Sequence, residues 1–288
     1  MLRLVTALRH AWRFLANNPK LFAGAALLSS LLFISIIGPL FVDIQLAQPL
    51  SVVPNKPPSS EHWLGTDSGG REILAVLVVG TPQTLRMGLL AGFLGVAIGV
   101  LLGAVAAFFR RMTDRVISGV TDTMLTIPPL AVLLVIAVTV HSLSVELMAL
   151  IIAALSWMNP ARTIRAQVLS LRELPYIHMA RLSGASDLRI LVQEILPNLL
   201  PLTFANFVGA TSGAVLAGIG LEVLGLGPQD TPTLGMTIYW ALLYAAFSRG
   251  MWWWWAPPIA VLIILFVGLF IISVALDEFA NPRLGRRI

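Results

Sequence analysis

Long apolar runs separated by short polar segments dominate the chain. Each run has about the 20 residues that a helix needs to cross a hydrocarbon core of about 30 Å, or falls only a little short of it. The runs cover residues 21–42, 84–109, 116–140, 143–158, 199–221 and 253–276. One such run could be a buried helix of a soluble protein, but six of them predict an all-α, polytopic membrane protein with six transmembrane helices.

The composition agrees with a lipid environment. Of the 288 residues, 57% are hydrophobic and 11% are charged, whereas soluble domains carry about 25% charged residues. Cysteine is absent, which excludes a disulfide framework and thiolate chemistry. No small-residue cleavage pattern follows the first run, so we expect an uncleaved first span rather than a signal peptide.

The basic residues indicate the orientation, because lysine and arginine concentrate in cytoplasmic loops. With the N-terminus inside, 15 of the 19 basic residues fall in inner segments, and the four outer ones are Lys56, Arg71, Arg86 and Arg249. We therefore expect both termini in the cytoplasm. This bias also accounts for the net charge of +5. The positions of the basic residues indicate contact with membrane lipid rather than with nucleic acid.

Two connecting segments are longer than a hairpin between spans requires. Residues 43–83, on the outer side, are rich in proline and glycine, and we expect irregular chain and short helices there. Residues 159–198, on the inner side, carry helix signals. We divide the chain into residues 1–83, which hold the cytoplasmic arm, first span and outer segment, and residues 84–288, a five-helix core with the inner segment as its cytoplasmic loop.

Two features predict the shape of the spans. Pro128 and Pro129 remove backbone donors from the third span, which should kink or unwind it. The second span carries glycines at intervals of three and four residues, at positions 88, 92, 95, 99 and 103. These form a face suited to close helix packing.

The inner loop contains the pattern of a short, isolated helix. Pro175 suits the first helical position, where its missing N–H costs nothing, and Gly184 suits the left-handed residue after the end. A second helix should begin with Ser186 as its N-cap and Asp187 in its first turn, and should halt before Pro197. This helix–glycine–helix element is either a protein contact or an amphipathic connector on the membrane surface.

At these residues the sequence resembles a known family. The string Ala180-Arg-x-x-Gly184-Ala-Ser, followed by Ile195-Leu-Pro-Asn198, is similar to the EAA loop of binding-protein-dependent ABC importer permeases. The string His62-Trp-Leu-Gly-Thr-Asp67-x-x-Gly70-Arg71 is similar to the outer segment of the C-type permeases of dipeptide, oligopeptide and nickel importers.

The resemblance extends in order from about residue 20 to residue 285. Residues 224–227, the tryptophan run with Pro257 and Pro258, and residues 281–283 are similar to later landmarks of that family. The chain departs from the family pattern at Pro82, Gln193, Glu194, Gly218 and Glu222. These departures leave the loop recognisable and the solute open. An Asp-Glu pair near the last span, as at residues 277–278, occurs in relatives that import oligosaccharides.

The resemblance implies a type I ABC importer permease fold, in the cytoplasmic membrane of a bacterium or archaeon. It implies a passive translocation subunit that binds no cofactor and works by alternating access. Its partners would be a second permease of the B type, two ABC ATPase subunits that hold ATP and magnesium, and an external solute-binding protein. The solute would be a dipeptide or oligopeptide, with oligosaccharides or nickel as alternatives.

Two groups of residues acquire roles from this resemblance. The contact with the ATPase would be formed by Ile177, Met179, Ala180, Arg181, Leu182, Ser183, Gly184, Ala185 and Ser186. The outer segment that helps to receive solute would contain His62, Trp63, Gly65, Asp67 and Arg71.

A secondary transporter that works alone is the alternative of a different class. Such transporters place ionisable residues within the membrane, and Asp122 is the one candidate for a relay. The chain has no glycine-rich phosphate loop with its lysine, and its four histidines lack metal-ligand spacing. Trp252–Trp255 are predicted to anchor the last span at the membrane interface, with a stacking platform for sugar or peptide as the alternative.

Overall fold

The structure, a computed structural model, describes residues 18–109, 111–140 and 143–280, with the side chains of 277–280 left out. This part of the chain is almost entirely helical, and a single isolated bridge joins Thr66 and Glu72 within it. The helices are α1 (Pro19–Phe41), α2 (Ile73–Phe109), α3 (Arg111–Leu125), α4 (Pro129–Thr139), α5 (Val145–Ser156), α6 (Met158–Leu171), α7 (Pro175–Leu182), α8 (Asp187–Val223), α9 (Leu234–Leu243) and α10 (Trp252–Ala280). The all-α class is confirmed. The basic arm, the landmark at 281–283 and the Asp-Glu pair at 277–278 lie outside the residues or side chains described.

Four helices are each long and apolar enough to cross a membrane: α1, α2, α8 and α10. The pair α3 and α4 is bent by 78°, and the pair α5 and α6 by 40°, and each pair passes the same test when it is taken as one span. The described residues therefore contain four to six candidate crossings, which agrees with the six-span prediction.

The break between α3 and α4 lies where the paired prolines predicted it. Helix α3 ends at Leu125, and Pro128 is the extended residue before α4. Neither proline can donate an N–H to a continuous helix. Thr126 and Ile127 form a turn instead, in which their N–H groups donate to the carbonyls of the residues three positions earlier, at 3.2 Å each. The predicted interruption is confirmed.

The second span begins eleven residues earlier than its apolar run indicated. Helix α2 starts at Ile73 and continues through Pro82. The sequence had assigned residues 73–83 to the outer segment, but they belong to this helix. Polar Thr81 and Thr84 obscured the helix, but both are buried, and Thr84 Oγ1 accepts a hydrogen bond from Leu234 N at 3.1 Å. Buried packing outweighs the missing donor of Pro82.

The predicted end of the second loop helix before Pro197 is wrong. Helix α8 runs on through this proline to Val223, and it contains one π turn at Leu191–Ile195. In that turn Leu196 N donates to Leu191 O, five residues back, so the helix is widened by one residue just before the proline. Ile195 and Leu199 on either side of the proline are both buried, and this burial holds the helix together.

The chain divides into two compact units by its internal contacts. One comprises residues up to 86 together with those from 222 onward, and the other is Met87–Leu221. In the first unit α1 packs tightly on α10, since a Cβ at Gly24 would lie 2.7 Å from Ile272 Cγ1. The division at residue 83 made from the sequence concerns the roles of segments, and it stays a prediction.

In the second unit the glycine face of α2 is its packing surface. Gly88 and Gly92 lie against Val215 and Thr211 of α8, and the later glycines lie against α5, α6 and the residue between them. A Cβ at Gly95 would lie 2.7 Å from Ser156 Cβ, and one at Gly99 would lie 2.8 Å from Trp157 O. These helices can approach so closely only because the side chains are missing, which confirms the predicted face.

Candidate coupling site and outer segment

Helix α7 is a short helix with a fixed start and a fixed stop. Pro175 is its first residue, and Gly184 after its end has φ +81°. Ala185 N donates to Ala180 O at 3.1 Å and Gly184 N donates to Arg181 O at 3.0 Å. This pair of bonds is the Schellman motif, which closes a helix around a left-handed glycine. Both sequence signals are confirmed.

The chain then turns directly into α8. Ser186 is extended, and its Oγ accepts a hydrogen bond from Arg189 N at 3.4 Å. Asp187 stands in the first turn, where a carboxylate interacts favourably with the helix N-terminus. The predicted N-cap is confirmed, so α7 is separated from α8 by a hinge of four residues.

The two faces of α7 have opposite roles. Ile177 is fully buried in a cluster that includes Phe108 of α2 and Ile164 of α6, and Ala180 and Ala185 pack against the same cluster. By contrast, Met179 is 62% exposed and Leu182 is 83% exposed. The interpretation of Ile177 as a presented contact residue is therefore wrong: its side chain anchors α7, because its position on the helix points it into the cluster.

The polar residues of this loop lie on its surface. Arg181 is half-buried, and its Nε lies 3.9 Å from Asp187 Oδ1. Ser183 Oγ donates to Met179 O at 2.9 Å, and Ser186 is exposed. The charge partner of Arg181 had not been identified from the sequence, although the two residues flank the hinge at a spacing of six.

Arg172 fixes the base of α7 and was also missed by sequence analysis. It is 8% exposed, and its Nη1 donates to the carbonyls of Ala107 and Phe108 at 2.7 and 3.0 Å. These carbonyls belong to the last turn of α2, where a cation complements the helix dipole. The guanidinium carbon also lies 5.9 Å from the Phe108 ring centroid. Arg172 therefore joins the end of α2 to the segment that leads into α7.

The outer segment is irregular but tightly hydrogen-bonded, with one 3₁₀ turn at Ile44–Ala47. Its centre is a turn in which Asp67 Oδ1 accepts from Arg71 N at 2.8 Å, while Asp67 N donates to Arg71 O at 3.0 Å. Asp67 Oδ2 lies 4.0 Å from Arg71 Nε. Burial raises the pKa of Asp67, against the opposing effects of the Arg71 N–H and guanidinium and of the Gly69 N–H.

The predicted residues of this segment are buried or half-buried within it, with one exception. His62 Nδ1 lies 3.9 Å from Glu72 Oε1, and burial raises the pKa of Glu72 against the opposing charge of His62. Gly65 has φ +69°, and a Cβ there would lie 2.6 Å from Lys56 O. Trp63 is the exception, because its side chain is 72% exposed.

The start of α10 packs on this outer segment. Trp253 Nε1 donates to Thr66 O at 3.3 Å, and Arg249 Nη1 donates to Ser68 Oγ at 3.0 Å. Trp254 is buried, whereas Trp252 is more than half exposed. Part of the tryptophan run therefore holds the outer segment, which neither sequence interpretation had foreseen.

Comparison with known proteins settles the family. Residues 95–286 match the family described as binding-protein-dependent transport system inner membrane component. The chain belongs to this family. It is 31% identical to the oligopeptide transport system permease protein OppC of Mycobacterium tuberculosis, over 75% of each chain. It is 28% identical to the dipeptide transport system permease protein DppC of Bacillus subtilis, over 82% of this chain and 78% of that one.

The fold is also that of a chain in a solved transporter. An inward-facing structure of the MetNI methionine ABC transporter matches with a TM-score of 0.55 at 21% identity, over 72% of this chain and 95% of that one. The resemblance to ABC importer permeases is confirmed, and the chain is a multi-pass permease component of the inner membrane.

Proposed function

We propose that this permease imports short peptides as the C-type subunit of its transporter. The support comes from relatives named as oligopeptide and dipeptide permeases, which match three quarters or more of this chain. It would work beside a second permease of the B type and receive peptide from an external binding protein. No feature of the described residues favours nickel or an oligosaccharide over a peptide.

The energy source is a separate ATPase. The sequence holds no phosphate-binding loop, so this chain acts as a passive translocation subunit without a cofactor, and ATP and magnesium are held by two partner ATPases. The bias of basic residues supports a topology with both termini and the loop around α7 in the cytoplasm, and with residues 43–72 on the outer side. His62, Trp63 and Arg71 then belong to the surface that receives the loaded binding protein.

The observation that carries the coupling role is the division of α7 into an anchored and an exposed face. Met179 and Leu182 are exposed apolar side chains on a helix that Ile177 and Arg172 tie to α2 and α6. An exposed apolar patch on a rigid element is typical of a protein contact. We assign this patch, with Arg181, to the ATPase.

Reconstitution tests the proposal. The complete transporter in liposomes should take up a labelled tripeptide only with its binding protein and ATP, and an ionophore should not stop uptake. A cysteine in place of Met179 should form a cross-link with the ATPase, since the native chain has no cysteine. The matched cysteine in place of buried Ile177 should not. Uptake that requires an ion gradient, or cross-linking of the first cysteine to lipid probes alone, would refute the proposal.

A further inference from the structure

Helix α3 is amphipathic, with apolar side chains on an exposed face and polar side chains on the opposite face. Met112, Val116 and Val120 are each at least half exposed, while Asp114, Ser118 and Asp122 recur every four residues on the other face. Helix α3 packs against α6, which contributes Arg162 and Arg165. The ion pair between Asp114 and Arg165 shows that the polar face of α3 is turned toward the arginines of α6.

A cavity of about 120 Å³ lies along this polar seam. It is lined by Ser118, Thr121 and Asp122 of α3 and by Arg162 and Arg165 of α6, and its third wall consists of small residues of α2, among them Gly103 and Ala106. This volume has room for several water molecules, but it is smaller than the pockets that enclose whole ligands. It therefore fits the charged end of a solute rather than a complete oligopeptide.

One ion pair fixes the floor of this cavity. Arg165 Nε and Nη2 donate to the two carboxylate oxygens of Asp114 at 2.6 and 2.8 Å. Ser118 Oγ donates to the same carboxylate at 3.2 Å. Such a two-bond pair is strong and directional, so α3 and α6 are held in register beneath the cavity.

The two other charged side chains on the cavity wall are Asp122 and Arg162. Among the residues that the structure describes, neither Asp122 nor Arg162 forms a hydrogen bond or a close ion pair, although Asp122 interacts electrostatically with Arg165. Both side chains are exposed at this cavity, so a charged solute can reach them. The cavity thus offers one carboxylate and one guanidinium to a solute.

We propose that this cavity binds zwitterionic solutes during transport, with Asp122 accepting from an ammonium group and Arg162 donating to a carboxylate. The proposal rests on the proposed peptide import, and it adds the chemical groups that are recognised. A short unmodified peptide carries both charges, whereas a neutral oligosaccharide carries neither. A dipeptide would use both groups together, and a longer peptide would use them one end at a time.

Blocked peptides test the assignment group by group. Binding of labelled dialanine, its N-acetyl derivative and its C-terminal amide is measured by equilibrium dialysis on the complete complex of permeases and ATPases in nanodiscs. Asp122→Asn should weaken the binding of dialanine about tenfold and leave that of the N-acetyl derivative unchanged, because that derivative has no ammonium group. Arg162→Gln should weaken dialanine about tenfold and leave the amide unchanged. These sizes correspond to one charge-assisted hydrogen bond.

Matched controls keep the result specific. Arg115→Gln, an exposed arginine on α3 outside the cavity lining, should leave the binding of all three probes unchanged. An equal loss for all three probes, no loss for any, or no binding to the unaltered complex would overturn the proposal. So would failed assembly that the charge exchange Asp122→Arg with Arg162→Asp restores, since that result would show the two side chains to be structural partners. Peptide import itself is judged separately by the uptake experiment.

Discussion

The inner loop and the outer segment both contain a glycine in the left-handed region, but they use it differently. At Gly184 (φ +81°) an added Cβ would meet nothing within 4 Å. At Gly65 (φ +69°) it would lie 2.6 Å from Lys56 O and 2.7 Å from Trp253 Cδ1. Gly184 is required by its backbone conformation alone, whereas Gly65 is required by conformation and by space.

This difference separates a hinge from a packed turn. The hinge at Gly184 has open space where a side chain would stand, so only its backbone conformation requires glycine. The turn at Gly65 is enclosed by the outer segment and α10, so it holds one arrangement. Sequence alone shows a glycine in each case, and only the surroundings distinguish the two uses.

The largest effect is expected for Gly65→Ala. The left-handed backbone costs about 1–2 kcal/mol with a Cβ, and overpacking against Lys56 and Trp253 adds about 1–3 kcal/mol. The outer segment should therefore become sensitive to limited proteolysis in nanodiscs while the spans remain inserted. Gly250→Ala is the control, because Gly250 shares the positive φ but has open space around it. Equal protease sensitivity in the two variants would show that packing at Gly65 is unimportant.

Arg172→Met should have the next largest effect. It should lower the free energy of unfolding by about 1.5–3 kcal/mol, since a buried charged hydrogen-bond donor is lost at the end of α2. We expect a lower unfolding temperature of the purified complex and more ATP hydrolysed per peptide transported, because α7 loses its tie to α2. Arg172→Lys should partly restore both values. Arg189→Met, which alters an exposed arginine bonded to Gln193, should leave them unchanged. A Met variant with normal transport stoichiometry would contradict the role of Arg172.

Gly184→Ala should lower the free energy of unfolding by only about 1–2 kcal/mol, which is the conformational cost of a left-handed backbone for a residue with a Cβ. The protein should insert normally and unfold at a slightly lower temperature, with α7 still held by Ile177. Comparison with Gly65→Ala under the same conditions isolates the contribution of space. If Gly184→Ala were the more damaging of the two, the hinge would be more crowded in the assembled transporter than in this chain.

Arg181→Glu should barely alter stability, by less than about 1 kcal/mol, because the pair with Asp187 is partly exposed. Its effect should appear in coupling instead: loaded binding protein should no longer stimulate ATP hydrolysis, since a carboxylate would replace the cation offered to the ATPase. Arg189→Glu serves as the charge-matched control in the same loop. Normal stimulation in Arg181→Glu would remove this residue from the ATPase contact.

Features encoded by adjacent residues were predictable. Pro175, Gly184 and Ser186 set the limits of α7 and the start of α8 through bonds that span no more than five residues, and Pro128 and Pro129 interrupt a span by their own chemistry. The glycine face of α2 was also predictable, because its spacing is a property of one helix. In each case the cause lies within the segment that shows the pattern.

Features set by distant partners were not. The burial of Ile177 depends on Phe108, in a helix far along the chain, and on Ile164 in the preceding helix, so an apolar residue in a polar loop was interpreted as exposed. The continuation of α8 through Pro197 depends on the burial of Ile195 and Leu199. Trp253 contacts Thr66 across 187 residues, and Arg172 contacts the end of α2 across 65 residues. No pattern in the neighbouring sequence predicts such pairs.

The π turn at Leu191–Ile195 has a geometric consequence for the part of α8 that follows it. A π turn stores one residue more than an α turn, and one residue corresponds to about 100° of rotation around a helix axis. If the stored residue were passed into or out of this turn, every side chain that follows in α8 would turn by that angle relative to those before it. The turn is thus the point in α8 at which a shift of one residue would change the face that the rest of the helix presents.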